Sequence, residues 1–146
     1  MRMIRNMTPE DYDEVYALWR ACPEMELNNL DDSREGVLRF LERNPETAFV
    51  AEEEGRVAGV LLAGSDGRRG YIYHAGVRPE FRGRGIGTGL VEAALEKLRA
   101  LGITKVGLLV FRNNNAGSRF WEARGFAARE DLAYRSCVLR EITRIQ

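Results

Sequence analysis

Histidine is nearly absent from this chain: His74 is the only one, and cysteine occurs twice, at Cys22 and Cys137. The two cysteines lie far apart and form no metal-ligand spacing, so no metal site is expected, and a disulfide between them is a poor prospect. Neither sign of charge is in excess, with 22 Lys and Arg against 22 Asp and Glu. A chain without a net field is not drawn as a whole onto nucleic acid or an anionic membrane, so local clusters must carry any electrostatic function. No apolar run approaches the ~18 residues that read as a membrane span. The start, Met1-Arg2-Met3-Ile4-Arg5-Asn6, lacks the apolar stretch of a signal peptide. These absences lead to the expectation of a cytoplasmic protein with no nucleic-acid and no membrane partner. Low-complexity segments, linkers and internal repeats are missing too, and 146 residues fit a single domain spanning 1–146.

What is present is a regular alternation of helical and strand patterns. A short apolar start gives way to Thr8-Pro9-Glu10-Asp11, which reads as a helix entrance with Thr8 as cap, Pro9 in the first turn and acids at the positive end of the dipole. Tyr12, Val15, Tyr16 and Trp19 then recur at helical spacing. A second helix is expected from Asp32-Ser33-Arg34-Glu35, with Asp32 and Glu35 at capping-box spacing, ending near Asn44-Pro45. Two apolar runs flank Glu54-Gly55 as a hairpin, and a third strand, Tyr71-Ile72-Tyr73-His74-Ala75-Gly76-Val77, follows the turn at Asp66-Gly67. Leu90, Val91, Ala94, Leu95 and Leu98 form a helical stripe that ends at Gly102. Residues 106–111 read as a strand, Phe120 and Trp121 as a short helix ending at Gly125, and residues 127–139 as two more strands. The order β-α-α-β-β-β-α-β-α-β-β implies a mixed α/β sheet with helices on both faces.

The segment Arg82-Gly83-Arg84-Gly85-Ile86-Gly87-Thr88 joins the third strand to the striped helix. Glycines let the backbone approach a ligand closely, the first turn of the helix presents free N–H groups, and the dipole favours an anion there. Arg82 and Arg84, with Arg78 nearby, add side-chain donors. This chemistry points to a di- or polyphosphate ligand. A P-loop would need Lys-Ser/Thr after its second glycine, and a dinucleotide fingerprint would need a glycine where Thr88 or Leu90 stands. The pattern Arg/Gln-x-x-Gly-x-Gly/Ala is met by Arg82, Gly85 and Gly87. A Gly-rich connection carrying solvated arginines would read the same way in isolation.

With the strand ending Ala75-Gly76-Val77, the Pro79 linker, this loop, and Asn114 through Trp121 to Gly125-Phe126 in order, the chain resembles the GNAT superfamily of N-acetyltransferases along nearly its whole length. The resemblance implies a mostly antiparallel central sheet with helices on both faces, the GNAT-like acyl-CoA N-acyltransferase fold. It also implies acetyl-CoA as donor, a primary amine as acceptor and a homodimer as oligomeric state. Pyrophosphate would be held by Arg82, Gly83, Arg84, Gly85, Ile86, Gly87 and Thr88. The pantetheine arm would pair with the backbone of Ala75, Gly76 and Val77, where that strand splays from the next, and Asn114 would add a donor-site contact.

Two residues familiar in such enzymes are replaced. Leu109 stands at a position where many members carry a glutamate base, and Trp121 stands where many carry a tyrosine acid. An indole N–H donates a hydrogen bond but is not a useful proton source, so Trp121 is expected either to pack against the pantetheine or hydrogen-bond the sulfur, or to be a core aromatic on a short helix. His74, on the donor-binding strand, reads alone as a packed or hydrogen-bonded residue; beside the presumed thioester it is the candidate base. The acceptor site is expected along the segment from Cys22 to Asp32, where Glu24, Glu26, Asp31 and Asp32 suit a cationic amine and equally suit a solvated, helix-capping loop. Arg68 and Arg69 beside a glycine turn fit an anionic acceptor, the 3′-phosphate of CoA, or plain exposure. An acyl-CoA-binding regulatory module that has lost turnover is the alternative to an enzyme.

Overall fold

The computed structural model describes residues 2–146. Its elements in chain order are β1 (Arg2–Asn6), α1 (Tyr12–Arg20), β2 (Leu27–Asn28), α2 (Arg34–Arg43), β3 (Ala48–Glu53), β4 (Arg56–Ser65), β5 (Gly70–Val77), α3 (Ile86–Ala100), β6 (Val106–Leu108), α4 (Asn115–Ala123) and β7 (Arg144–Ile145). Five strands form one sheet in the order β1-β3-β4-β5-β6. The first three pairings are antiparallel and only β5–β6 is parallel.

Alternation along β4 divides the core between the two sheet faces. Val57, Val60 and Leu62 pack with Val15, Leu18 and Trp19 of α1 and with Val37 and Leu41 of α2. Ala58, Leu61 and Ala63 pack on the opposite face with Ile86, Leu90, Val91, Ala94 and Leu98, the stripe of α3. Helices therefore cover both faces, as the element pattern implies.

The entrance to α1 is built by Asp11, whose Oδ2 accepts from the Thr8 amide at 2.8 Å and whose two oxygens accept from Arg5 at 2.8 Å each. Burial alone would raise the Asp11 pKa, but the Arg5 guanidinium and the Thr8 amide outweigh it and hold the carboxyl below its usual value of 3.8. A carboxyl depressed on folding stabilises fully above its unfolded pKa, and that contribution is lost as pH falls through the folded value. The stability gap between wild type and Asp11→Asn, read by urea unfolding, is therefore expected to be wide at pH 7 and to narrow toward pH 3. A gap independent of pH would contradict this account.

Three expectations need correction. The cap of α2 is Ser33, whose hydroxyl accepts from the Gly36 amide at 3.0 Å, rather than Asp32. The Asp32 carboxylate is committed elsewhere, to His74 and to the Asn28 amide. The expected strand at 106–111 stops at Leu108. Among the described residues, 127–139 form no strand. Charges at Arg129, Glu130, Asp131 and Arg135 interrupt that stretch, and a three-residue β6 offers little ladder for it to join. The tail instead returns at Arg144–Ile145, which pairs with Leu27–Asn28 as a two-stranded ribbon that the sequence pattern does not announce.

Candidate active site

The site begins where two strands part. Parallel pairing of β5 with β6 runs through Gly70↔Val106, Tyr71↔Gly107 and Ile72↔Leu108, and goes no further. On its other side β5 stays paired with β4, but the register shifts so that His74 and Ala75 together oppose Leu61. This is a β-bulge, a device that bends the strand and re-aims its side chains. His74 sits in it at φ +38°, a left-handed value unusual for a residue with a side chain. Such a conformation costs roughly 1–3 kcal/mol and persists only when neighbours over-determine it. Two contacts do so here: Trp19 Nε1 donates to the His74 carbonyl at 3.0 Å, and His74 Nε2 lies 2.8 Å from Asp32 Oδ1.

Asp32 is buried, with its second oxygen accepting from the Asn28 amide at 2.8 Å. Tyr12 fixes the same turn by donating its hydroxyl to the Asp32 carbonyl at 2.6 Å. With a carboxylate against Nε2, the neutral imidazole carries its proton there and keeps its lone pair on Nδ1. The ring is also held edge-on to Trp19 at 5.1 Å. Beyond the bulge, a Cβ added at Gly76 would meet Met25, Leu18 and Cys22 at 3.2–3.4 Å, so α1 and the segment after it lie close over this part of β5. Ala75 and Val77 turn to the α3 side.

The loop after β5 brings the glycine-rich turn to the same end of the strand. Gly83 and Gly85 hold φ of +80° and +81°, which only glycine adopts cheaply. Gly85 caps α3 and has no side chain to satisfy the helix. The Gly89 amide bonds the Gly85 carbonyl at 3.1 Å, leaving the amides of Ile86, Gly87 and Thr88 as first-turn donors. Gly87 lets the two helices approach closely, since a Cβ there would meet the Phe120 ring at a tight 3.2 Å. That contact seats α4 on the first turn of α3 and brings in Arg124, a cation the sequence reading missed. Arg124 donates to Thr88 Oγ1. Its only local signal is its place just before Gly125, which ends α4.

Arg82 and Arg84 stand beside this turn, each already paired. Arg82 donates to the Val77 carbonyl at 3.0 Å and to Glu24 at 3.2 Å. Arg84 lies 3.6 Å from Glu53, 3.7 Å from Glu54 and over the Phe81 ring at 5.0 Å. The exposed pairs, Arg82 with Glu24 and Arg84 with Glu54, contribute only ~0–1 kcal/mol each and do not hold the arginines fast. The open first turn, the side-chain-free cap and the surrounding arginines fit a pyrophosphate, and the parted strands fit an extended arm leading away from it.

A groove of about 410 Å³ lies between the segment after α1 and the loop after β6, lined by Pro23, Glu24, Met25, Phe111, Asn113, Asn114 and Arg144. Asn114 caps α4, its side-chain oxygen accepting from the Gly117 amide at 2.9 Å. Trp121 is half-buried between Phe120 and Phe126, with ring centroids 5.0 and 5.2 Å away. Leu109 is exposed beyond the end of β6. In the acidic segment Glu24 pairs with Arg82, Glu26 with Arg144, and Asp32 with His74. Asn28 and Asn29 bond neighbouring backbone amides. Arg68 and Arg69 belong to the turn built on Asp66, at the far end of β5, roughly 25 Å from the loop at ~3.3 Å per residue. Burial pushes the Cys22 thiol up; Cys22 and Cys137 are both free. Among the described residues no cluster of His, Cys, Asp and Glu is arranged to hold a metal, and no helix is long and apolar enough to cross a membrane.

Known proteins share both the sequence and this architecture. The Acetyltransferase (GNAT) family model matches residues 12–126. An acetyltransferase of Photorhabdus laumondii is 41% identical over 113 residues, covering 77% of this chain and 78% of that protein. One from Sodalis glossinidius is 37% identical over 119 residues, covering 82% of each. Among solved structures, Ard1 from Thermoplasma volcanium superposes with a TM-score of 0.76 at 25% identity, covering 86% of this chain and 82% of that one. The PaiA N-acetyltransferase of Thermoplasma acidophilum, in complex with coenzyme A, gives a TM-score of 0.78 over 89% of this chain and 92% of its own, at 18% identity, a likeness of fold. This chain thus belongs to the GNAT acetyltransferase family and is an acetyl-CoA-dependent acetyltransferase.

Proposed function

We propose that this single domain, residues 1–146, transfers acetyl to a primary amine of a small molecule, peptide or protein, with His74 as the base that receives the ammonium proton. The observation that carries the reading is the His74–Asp32 pair, set in a bulge where β5 leaves β6. An alkyl amine is mostly protonated near neutral pH and must lose a proton to attack a carbonyl. Asp32 fixes the imidazole with Nδ1 as acceptor, the function that a strand carboxylate serves elsewhere in the family and that Leu109 cannot serve.

Acetyl-CoA supplies an activated acetyl thioester. The chain's own groups hold it: the amides of Ile86, Gly87 and Thr88 with Arg82, Gly83, Arg84 and Gly85 at the pyrophosphate, the edge of Ala75, Gly76 and Val77 along the arm, and Asn114 across the groove. Trp121 contributes packing rather than a proton. Holding amine and thioester together supplies much of the remaining acceleration. A homodimer as the working form rests on the family resemblance.

Amine-dependent release of thiol from acetyl-CoA is the direct test. His74→Ala is expected to lower kcat by ~100-fold or more, in the range of general-base catalysis, while calorimetry shows unchanged acetyl-CoA affinity. A variant with full rate and an unaltered pH profile would remove His74 from this role.

A further inference from the structure

One surface beside the bulge is used neither by the donor site nor by the base. Tyr71 and Tyr73 of β5 lie with ring centroids 4.7 Å apart, and Phe40 of α2 closes edge-on against Tyr73 at 5.7 Å. Tyr71 lies over β6, its ring 3.8 Å from where a Cβ of Gly107 would be, so the bare glycine keeps the floor flat. Leu109 is the first residue past the end of β6, where the strands have parted. Tyr73 is 46% exposed, Leu109 58% and Tyr134 70%. Tyr134, from the tail, stands close enough to influence both strand phenols, and Asp31 close enough to influence Tyr73. Burial, with help from Tyr134 and Tyr73, pushes Tyr71 up to about 12, so its ring stays neutral at working pH.

Among the described residues, arginines sit over Tyr12, Tyr16, Phe81 and Phe120, but none sits over Tyr71, Tyr73 or Tyr134. A neutral aromatic wall with a carboxylate at its edge complements a flat apolar body that carries a positive charge. Tyr73 and His74 are consecutive, with ~3.8 Å between Cα atoms, so a group lying on the wall reaches the imidazole through a short linker.

We propose that this wall is the acceptor subsite and that the acceptor is a primary amine borne on an aromatic body by a short chain, entering as its ammonium form. The body stacks on Tyr71 and Tyr73 with Tyr134 of the tail within reach, and the ammonium lies toward Asp31 before giving its proton to His74. The inference rests on the amine-acetylating reading above, and its test separates the two.

The test uses the full chain and two measurements. In turnover with saturating acetyl-CoA, 2-phenylethylamine is expected to exceed n-butylamine, spermidine, an aminohexose and a short peptide in kcat/KM by tenfold or more. Tyr73→Ala and Tyr134→Ala, at a largely exposed position, should each lower that preference several-fold, while acetyl-CoA affinity and melting temperature show that the fold and donor site are intact. In calorimetry with CoA-saturated protein, 2-phenylethylamine should bind, and Tyr73→Ala should weaken that binding about tenfold. Binding without turnover would overturn the amine-acetylating reading and leave the subsite standing. No binding, a higher kcat/KM for the polyamine, sugar or peptide, or equal losses on phenylethylamine and butylamine in Tyr73→Ala would overturn the subsite.

Discussion

Replacing Arg82 with glutamate is expected to weaken acetyl-CoA binding by about two orders of magnitude. A hydrogen bond to a charged group contributes ~1.5–3 kcal/mol, and reversal adds repulsion of the pyrophosphate, so a loss near 3 kcal/mol, or ~100-fold, follows. The reversal also sets a second carboxylate against Glu24, which Arg82 now contacts at 3.2 Å, and releases the Val77 carbonyl at the end of β5. Arg82→Gln, which keeps a donor but not the charge, should lose only about tenfold, the difference of one charge-assisted bond. Calorimetry at two ionic strengths distinguishes the causes. The gap between wild type and Arg82→Glu should shrink as salt screens an exposed side chain. Equal affinity in wild type and the charge-reversed protein would dissociate Arg82 from the phosphate site.

What could be read from the sequence was whatever depends on near neighbours. Gly83 and Gly85 have positive φ because the chain must turn sharply into α3, and a glycine-rich run before a helical stripe states that need directly. The stripes of α1 and α3 likewise reach the core. The chemistry of the site was less legible because it joins distant positions. His74 meets Asp32 across 42 residues and Trp19 across 55, and Arg124 meets Thr88 across 36. No local pattern at Asp32 distinguishes a carboxylate that caps a helix from one that holds an imidazole. Ser33, one residue on, serves the cap equally well, and the tertiary partner decides between them. The bulge is hidden for a related reason: it is a mismatch between β4 and β5, visible only when the two are aligned. Residues 127–139 mislead in the opposite direction, carrying apolar residues at strand-like intervals while the edge strand β6 is only three residues long and offers little ladder to pair with.

Trp19 links fold and site, and its removal carries the second large expected effect. The side chain is wholly buried in the α1 face of the core, so Trp19→Ala is expected to cost ~3–5 kcal/mol as a core truncation. For a chain of this size that lowers Tm by roughly 10 °C or more, measurable by calorimetry or circular dichroism. Trp19→Phe separates packing from positioning. It keeps an aromatic ring in the core, deletes the Nε1 hydrogen bond to the His74 carbonyl and leaves a small cavity where the larger indole stood, together a loss of about 2 kcal/mol and several degrees in Tm. The carbonyl so released belongs to a residue held at φ +38°, and relaxation of that backbone would turn the imidazole away from Asp32. Trp19→Phe should therefore lose far more in kcat than its stability change implies, with acetyl-CoA affinity at the α3 turn preserved. If kcat survives, the bulge is held by strand pairing and Asp32 alone, and Trp19 serves the core without positioning the base.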